Sequence, residues 1–416
     1  MSDLTVIRAG RLVDVVGERV LADHEVVVRG ERIEEIRAVG LPVPDGARVV
    51  DLSDSTVLPG LFDCHAHLIG RAEDGSEYSA LLTRSAAREV LAGVANARDT
   101  LLAGFTSIRD IGTFRALADV ALRDAIEEGW VVGPRMVCAG AYVTVSSGGG
   151  AVTGLTPDVE VPRELRFGVA NSADEVRQRV REILTGGADF IKVIATGAVM
   201  TEGTDPGAPE YSEAEIRAAV EEAALYGAHV AAHAHGAEGI KRAVRAGVRS
   251  IEHGSLMDDE AIDLMAEHGT YLVADIYNGD YIASVGRQFG WSEERLRKND
   301  ETTDAQREGF RRCLERGVRI AYGTDSGIYP HTDVARQLPY MVKYGMSPMQ
   351  AVRAATIVSA ELLGWEERVG SITEGKLADL IGVPGDAVDD LERFTDVSFV
   401  MKGGRIYKEA GLPTAV

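Results

Sequence analysis

The sequence predicts an α/β fold, a (β/α)8 TIM barrel joined to a small β-sandwich domain built from both ends of the chain. Three observations predict it. From residue 57 onward, eight short apolar runs alternate with amphipathic stretches, the order expected of strand-helix units wound into a barrel. The two ends of the chain carry valine-rich runs broken by glycine turns, which read as short strands. The length, 416 residues, matches a barrel of roughly 250 residues or more with a smaller companion.

The eight runs are VLPGLFDC (57–64), GFTSIRD (104–110), RMVCAG (135–140), FIKVIAT (190–196), HVAAHAH (229–235), SIEHG (250–254), TYLVADIY (270–277) and RIAYGTDS (319–326). Between them lie helical patterns such as SEAEIRAAVEEAALYGA (212–228). There Ser212 is the expected N-cap, Glu215 completes a capping box, and a glycine marks the exit. A doubly wound open sheet is the alternative, but it rarely reaches eight such units, and no GxGxxG follows the first strand. The terminal segments 5–39, 370–385 and 398–408 are expected to pair across the termini. This divides the chain into a composite β domain, 1–56 with 366–416, and a barrel, 57–365. Three connections, 141–171, 197–211 and 278–302, are unusually long. On the active face of a barrel they are expected to form substrate walls or lids.

Composition narrows the partners. With 44 Lys and Arg against 65 Asp and Glu, the net charge of -21 argues against nucleic acid and anionic membrane surfaces, both of which need a basic footprint. A dissolved small molecule is the expected partner. No run is apolar over a bilayer's thickness, and the opening MSDLTVIRAGRLVDVVGE lacks a basic n-region, apolar core and cleavage site, so a cytoplasmic protein is expected. The three cysteines, Cys64, Cys138 and Cys313, show no CxxC spacing and read as small buried hydrophobes.

The chemistry lies at the strand ends. In LPGLFDCHAHL (58–68), strand alternation puts His65 and His67 on one face and Cys64 on the other. Alone, such a pair reads equally as a metal site or as a hydrogen-bonded histidine beside a surface one. Lys192 on strand 4, His233 and His235 on strand 5, His253 on strand 6 and Asp325 on strand 8 would converge with the pair at one mouth. Lys192 sits inside FIKVIAT, where an ammonium is costly to bury and is driven toward the neutral, reactive amine. Carbon dioxide converts such an amine to a carbamate whose two oxygens can bridge two metal ions. Imidazole and carboxylate ligands suit zinc or a similar divalent ion. Two such ions would bridge a hydroxide nucleophile, with Asp325 orienting it and carrying its proton to the leaving group. His229, His233 and His235 share a face, so parity does not choose the ligand; His229, nearest the strand's start, is expected to be structural. His331 reads either as solvent-exposed or as a substrate contact, and His24 and His268 as uninvolved.

These blocks, with the GSITEGKLADL segment (370–380), resemble the amidohydrolase superfamily over nearly the full chain. The resemblance implies a binuclear metal site, a split β domain, and hydrolysis of amide or ester bonds at carbon or phosphorus. Carried onto this sequence, it makes His65 and His67 ligands of the first metal. Lys192 becomes a bridging N6-carboxylysine, and His233 and His253 ligands of the second metal. Asp325 serves on the first metal as general base, and His235 is left as a second-layer or substrate group. The block from FIKVIATGAVMTEGTDP to AAHAHGAEGIKRAVRAGVRSIEHG is similar to the imidazolonepropionase-related, prolidase-like dipeptidases. These cleave Xaa-Pro or Xaa-Arg/Lys dipeptides and N-acyl amino acids, and include ochratoxin-hydrolysing relatives. A homo-oligomer is the habit of that group.

One departure stands out. Relatives often carry a histidine after the paired glycines of the third loop, used on the substrate carboxylate, where this chain reads Ser147, Gly148, Gly149 and Gly150. Tyr142, Tyr277, Tyr281 and His331 are the candidate replacements. Deaminases of the superfamily place a glutamate three residues beyond the strand-5 histidine, where this chain has Gly236, and they lack the lysine. Cyclic amide opening, as in imidazolonepropionase, is generally mononuclear and also lacks it. Lactone and phosphotriester hydrolysis use the same machinery and stand as alternatives to dipeptide cleavage. A scaffold that had lost its metal would show missing ligands, and none is missing.

Overall fold

The computed structural model describes residues 4–70, 79–156 and 158–414. The chain opens with four strands, β1 (Leu4–Asp14), β2 (Arg19–Arg29), β3 (Arg32–Ala38) and β4 (Arg48–Pro59). Nine more follow: β5 (Leu61–Ala66), β6 (Phe105–Asp110), β7 (Arg135–Cys138), β8 (Tyr142–Val143), β9 (Ile191–Ile194), β10 (Val230–Gly236), β11 (Ser250–Leu256), β12 (Tyr271–Val273) and β13 (Ile320–Ala321). Each of the eight apolar runs overlaps one of them, and β8 lies just beyond the third run.

These nine strands make the eight staves of the barrel, because the third stave is broken. β7 pairs with β6, the chain steps sideways over 139–141, and β8 pairs with β9, all in parallel. The remaining neighbours from β9 to β13, and β5 with β6, are also parallel. The ring closes where Cys64 N–H donates to Tyr322 O and His67 N–H to Ser326 O, each at 2.8 Å. All residues of β5 and β10 are buried, since one face fills the barrel and the other meets helices. That double burial is why the runs are continuous rather than alternating in polarity.

The chain ends with β14 (Leu380–Pro384), β15 (Phe399–Lys402), β16 (Arg405–Glu409) and β17 (Leu412–Pro413). They join β1 to β4 in one eight-stranded sheet of order β17-β16-β15-β14-β4-β1-β2-β3, antiparallel except for β1 with β4. The sheet curls on itself: Ile33 N–H donates to Lys376 O and Ala378 N–H to Glu31 O, tying the edge strand β3 to the run leading into β14. Ile7, Val26, Leu380 and Phe399 share its core. Arg135 clasps Asp379 with two bonds of 3.2 Å and fixes this sheet to the barrel.

Ser212 and Glu215 form the expected capping box of helix Glu213–Ala224. The three cysteines are free and buried. The 278–302 connection differs from its reading as a loop. It holds helix Asn278–Val285 and the start of helix Glu293–Glu315, which is capped by Ser292. The sequence SEERLRKND hides this helix because its inward positions are largely polar and show no apolar period. Among the described residues, no helix is long and apolar enough to cross a membrane.

Candidate active site

At the C-terminal mouth of the barrel the strand ends place their polar side chains in one cleft. Cys64 points outward into a cluster with Phe62 and Val273, while His65 and His67 turn inward. The rings of His65 and His253 lie 4.7 Å apart, those of His233 and His253 4.6 Å, and those of His235 and His253 4.8 Å. Asp325 Oδ1 stands 3.5 Å from His65 Nε2 and 3.3 Å from His67 Nε2. Among the described residues two groups are close enough to hold a metal ion, His233 with His235 and His253, and His65 with His253 and Asp325. His253 and Asp325 both adopt left-handed backbone, with φ of 67° and 58°, a strained conformation for such residues that turns them from the strand into the cleft.

Each histidine is tethered from behind by one nitrogen. His65 Nδ1 lies 2.8 Å from Glu252, His67 Nδ1 2.8 Å from Gly112 O, His235 Nδ1 2.8 Å from Ser255 Oγ and His253 Nδ1 2.9 Å from Asp275. His233 uses the other nitrogen, Nε2, which lies 3.2 Å from Gly197 O. A metal-ligating imidazole commonly donates its second N–H in this way, which fixes ring and tautomer. The donor set therefore fits a divalent ion: five imidazoles each retain a nitrogen for the cleft, and Asp325 adds an oxygen.

Burial and neighbouring charge set the protonation. Burial, with Lys192 and His253 nearby, holds His65 well below the ordinary histidine value. His233 and His235 are lowered by burial and by the adjacent rings. Burial pulls the same way on His67 and His253, but Asp325 and Asp275 respectively outweigh it and raise them. Lys192 is 2 % exposed, and burial brings its ammonium down to about 8. Among the described residues no hydrogen bond reaches its amine.

Behind the rings runs a buried network that the sequence reading did not single out. Arg109, fully buried, donates Nε to Cys64 O at 2.6 Å, Nη1 to Ser250 Oγ at 3.0 Å and Nη2 to Glu252 at 2.8 Å. Asp275 takes Gln306 at 2.7 Å and Asn278 at 3.1 Å in addition to His253. Burial opposes its charge, but the His253 ring outweighs it and holds the carboxyl far below its usual range. The available signal was a charged residue inside an apolar run: Arg109 in GFTSIRD, Glu252 in SIEHG and Asp275 in TYLVADIY.

Of the candidate substrate groups, Tyr142 lines the cleft, but its hydroxyl donates to Gly112 O at 2.9 Å. His235 lines it too. Tyr277 and Tyr281 pack on Tyr329 outside the cleft lining. His331 is buried rather than solvent-exposed, with Nδ1 3.4 Å from Thr100 Oγ1, and it does not line the cleft. His229 stacks on Phe190 away from the cleft, as expected of a structural residue. Among the described residues Lys192 is the one lysine or arginine in the lining. Gly149 and Gly150 form part of the third-loop wall, held by Glu210, which accepts the Gly149 N–H at 2.9 Å. No side chain fits at Gly236, where a Cβ would stand 2.2 Å from Gly207 O, so the deaminase glutamate has no room there.

A histidine-lined cleft able to hold a metal ion, at the mouth of a parallel barrel flanked by a two-ended β sheet, defines a class of barrel hydrolases. Comparison with known proteins agrees. The amidohydrolase family matches residues 56–407, and the chain belongs to that family of hydrolases. It is 32% identical over 375 residues to ochratoxinase of Aspergillus niger, covering 86% of this chain and 76% of that protein. Among solved structures, a Xaa-Pro dipeptidase with methionine bound in its active site superposes with a TM-score of 0.91 at 37% identity. The match covers 97% of this chain and 100% of that one. A prolidase complexed with N-methylphosphonate-L-proline gives 0.90 at 31% identity, covering 98% and 100%.

Proposed function

We propose that this protein is a binuclear metal-dependent amidohydrolase that cleaves the amide bond of dipeptides or N-acyl amino acids. The observation that carries the reading is the convergence in one cleft of five back-tethered histidines, Asp325 and a buried lysine amine that no hydrogen bond reaches among the described residues. Likeness to a Xaa-Pro dipeptidase and to ochratoxinase supports amide substrates. His65, His67 and Asp325 would hold one ion and His233 and His253 the other, with Lys192 bridging as N6-carboxylysine. Zinc suits this nitrogen and oxygen set. When bound, such ions supply Lewis acidity to the scissile carbonyl and acidify the attacking water.

The chain's own residues do the rest. Asn278 donates to Asp325 Oδ2 at 3.1 Å and so fixes the carboxylate with Oδ1 toward the two first-strand histidines. From there Asp325 takes a proton from the attacking water and hands it to the leaving nitrogen. Ile282, Ile328 and Met200 give the cleft an apolar wall that receives a side chain and limits water. The division into a 57–365 barrel and a composite domain of 1–56 with 366–416 belongs to this reading, as does a cytoplasmic homo-oligomer.

The test is hydrolysis by zinc-loaded protein of a panel of Xaa-Pro, Xaa-Arg/Lys and Xaa-Phe dipeptides and N-acyl amino acids, read as free amino acid. Turnover of one C-terminal class is expected, and His65→Ala or Asp325→Asn should abolish it while leaving the fold intact. Either variant within about tenfold of wild type would overturn the mechanism. Silence across the panel would shift the substrate to cyclic amides, lactones or phosphotriesters.

A further inference from the structure

The cleft wall that adjoins Asp325 is apolar. Ile328 lies one turn beyond Asp325, its N–H donating to Asp325 O at 3.2 Å. Ile282 stands one turn beyond Asn278 on the same face of helix Asn278–Val285, and Asn278 Nδ2 donates to Asp325 Oδ2 at 3.1 Å. Both isoleucines line the cleft, as does Met200 from the 197–211 connection. Trp291 and Leu296 form one buried apolar cluster with Ile282, and Met200 and Ile328 pack half-buried against it. The polar residues beside this wall spend their hydrogens on the protein itself. Thr302 and Thr303 donate to the carbonyls of Lys298 and Asn299 at 2.8 and 2.7 Å, Asn299 Nδ2 to Gly279 O at 3.0 Å and Gln306 Nε2 to Asp275 at 2.7 Å. Among the described residues the charged side chains of the lining are Lys192 and Asp325, in the ring of candidate ligands, and Asp275, bonded to His253.

We propose that this wall receives the side chain of the leaving amino acid, so that the enzyme prefers a C-terminal leucine, methionine or phenylalanine and rejects C-terminal lysine and arginine. The inference rests on the reading of Asp325 as the group that protonates the leaving nitrogen. That nitrogen must come to Asp325, and the side chain borne on the next carbon then meets the surfaces that adjoin this carboxylate. Ile328 and Ile282 are two of those surfaces. A large apolar side chain sheds water there and packs on the isoleucines and Met200. An ammonium or guanidinium in the same place gives up its hydration against aliphatic carbon. Ile328 and Ile282 are thus specificity residues for the leaving group.

The experiment compares L-alanyl-L-leucine with L-alanyl-L-lysine on zinc-loaded wild type, Ile328→Ala and Ile328→Glu, with zinc content and circular dichroism recorded for each. The reversed peptides, L-leucyl-L-alanine and L-lysyl-L-alanine, put the same side chains on the acyl side. Wild type is expected to favour alanyl-leucine over alanyl-lysine by at least about 30-fold in kcat/KM, with the reversed pair within about tenfold. Ile328→Ala should cut the first preference about tenfold, and Ile328→Glu, which supplies a carboxylate, should bring the two peptides within about threefold. Met200→Glu repeats the test from another connection should neither Ile328 variant fold. A wild-type preference below about threefold, a preference carried only by the reversed pair, or an unchanged preference in folded, zinc-bearing variants overturns the proposal. If wild type hydrolyses none of the four peptides, the dipeptidase reading fails separately, and free L-leucine and L-lysine are titrated calorimetrically onto the same proteins. Tighter binding of leucine that is lost in the variants upholds the wall as the side-chain site. Equal affinity, or no binding, overturns it.

Discussion

Replacing Arg109 by methionine tests the network beneath the candidate metal site. The guanidinium is fully buried and makes three hydrogen bonds, to a backbone carbonyl, a hydroxyl and the Glu252 carboxylate. Methionine fills similar space but leaves Glu252, itself 0 % exposed, with Ser250 and His65 as its remaining hydrogen-bond partners among the described residues. Removing one member of a buried charge pair costs about 3–5 kcal/mol, chiefly because the other is stranded. The orphaned Cys64 carbonyl falls within that range. In urea denaturation of the metal-free protein at pH 7, the midpoint should drop by roughly 1–2 M for a slope near 3 kcal/mol/M. The double variant Arg109→Met/Glu252→Gln removes the stranded charge and should recover about 2 kcal/mol relative to additivity. A single variant within about 1 kcal/mol of wild type, or strictly additive changes, would refute the claim that this pair holds His65 from behind.

Two further outcomes are expected. Burial lowers His229 to about 3, so in acid the unfolded chain takes a proton that the folded one refuses, and its stability contribution is lost as pH falls from 6.5 toward 3. Between pH 6.5 and 4.5 that amounts to about 2–3 kcal/mol, so denaturation midpoints of His229→Gln should decline less steeply over this window; parallel curves would contradict the assignment. If Lys192 carries a carbamate, zinc reconstitution of the metal-free protein should require bicarbonate, native mass spectrometry should show one added carbon dioxide per chain, and Lys192→Arg should bind zinc poorly. Full reconstitution in carbon dioxide-free buffer would argue against it.

The amino-acid sequence by itself determined the barrel and the ring of chemical groups at its mouth. A strand buried on both faces must be apolar, so His65, Lys192, His233 and His253 stood out as polar residues where burial is costly, with His67 just past the end of the first of these strands. The pairing of both termini was legible from glycine-broken valine runs, and the capping box at Ser212 from local chemistry. Tertiary structure alone decided three things. It put Asn278 between Asp275 and Asp325 and the polar face of helix Glu293–Glu315 over the cleft, since a helix whose inward face is polar leaves no hydrophobic period to read. It withdrew His331, Tyr277 and Tyr281 from the cleft, because their direction depends on loop paths that no local spacing encodes. It also tied each histidine to its rear partner, as with Glu252 behind His65, 187 positions apart in sequence, a contact that exists only once the barrel closes.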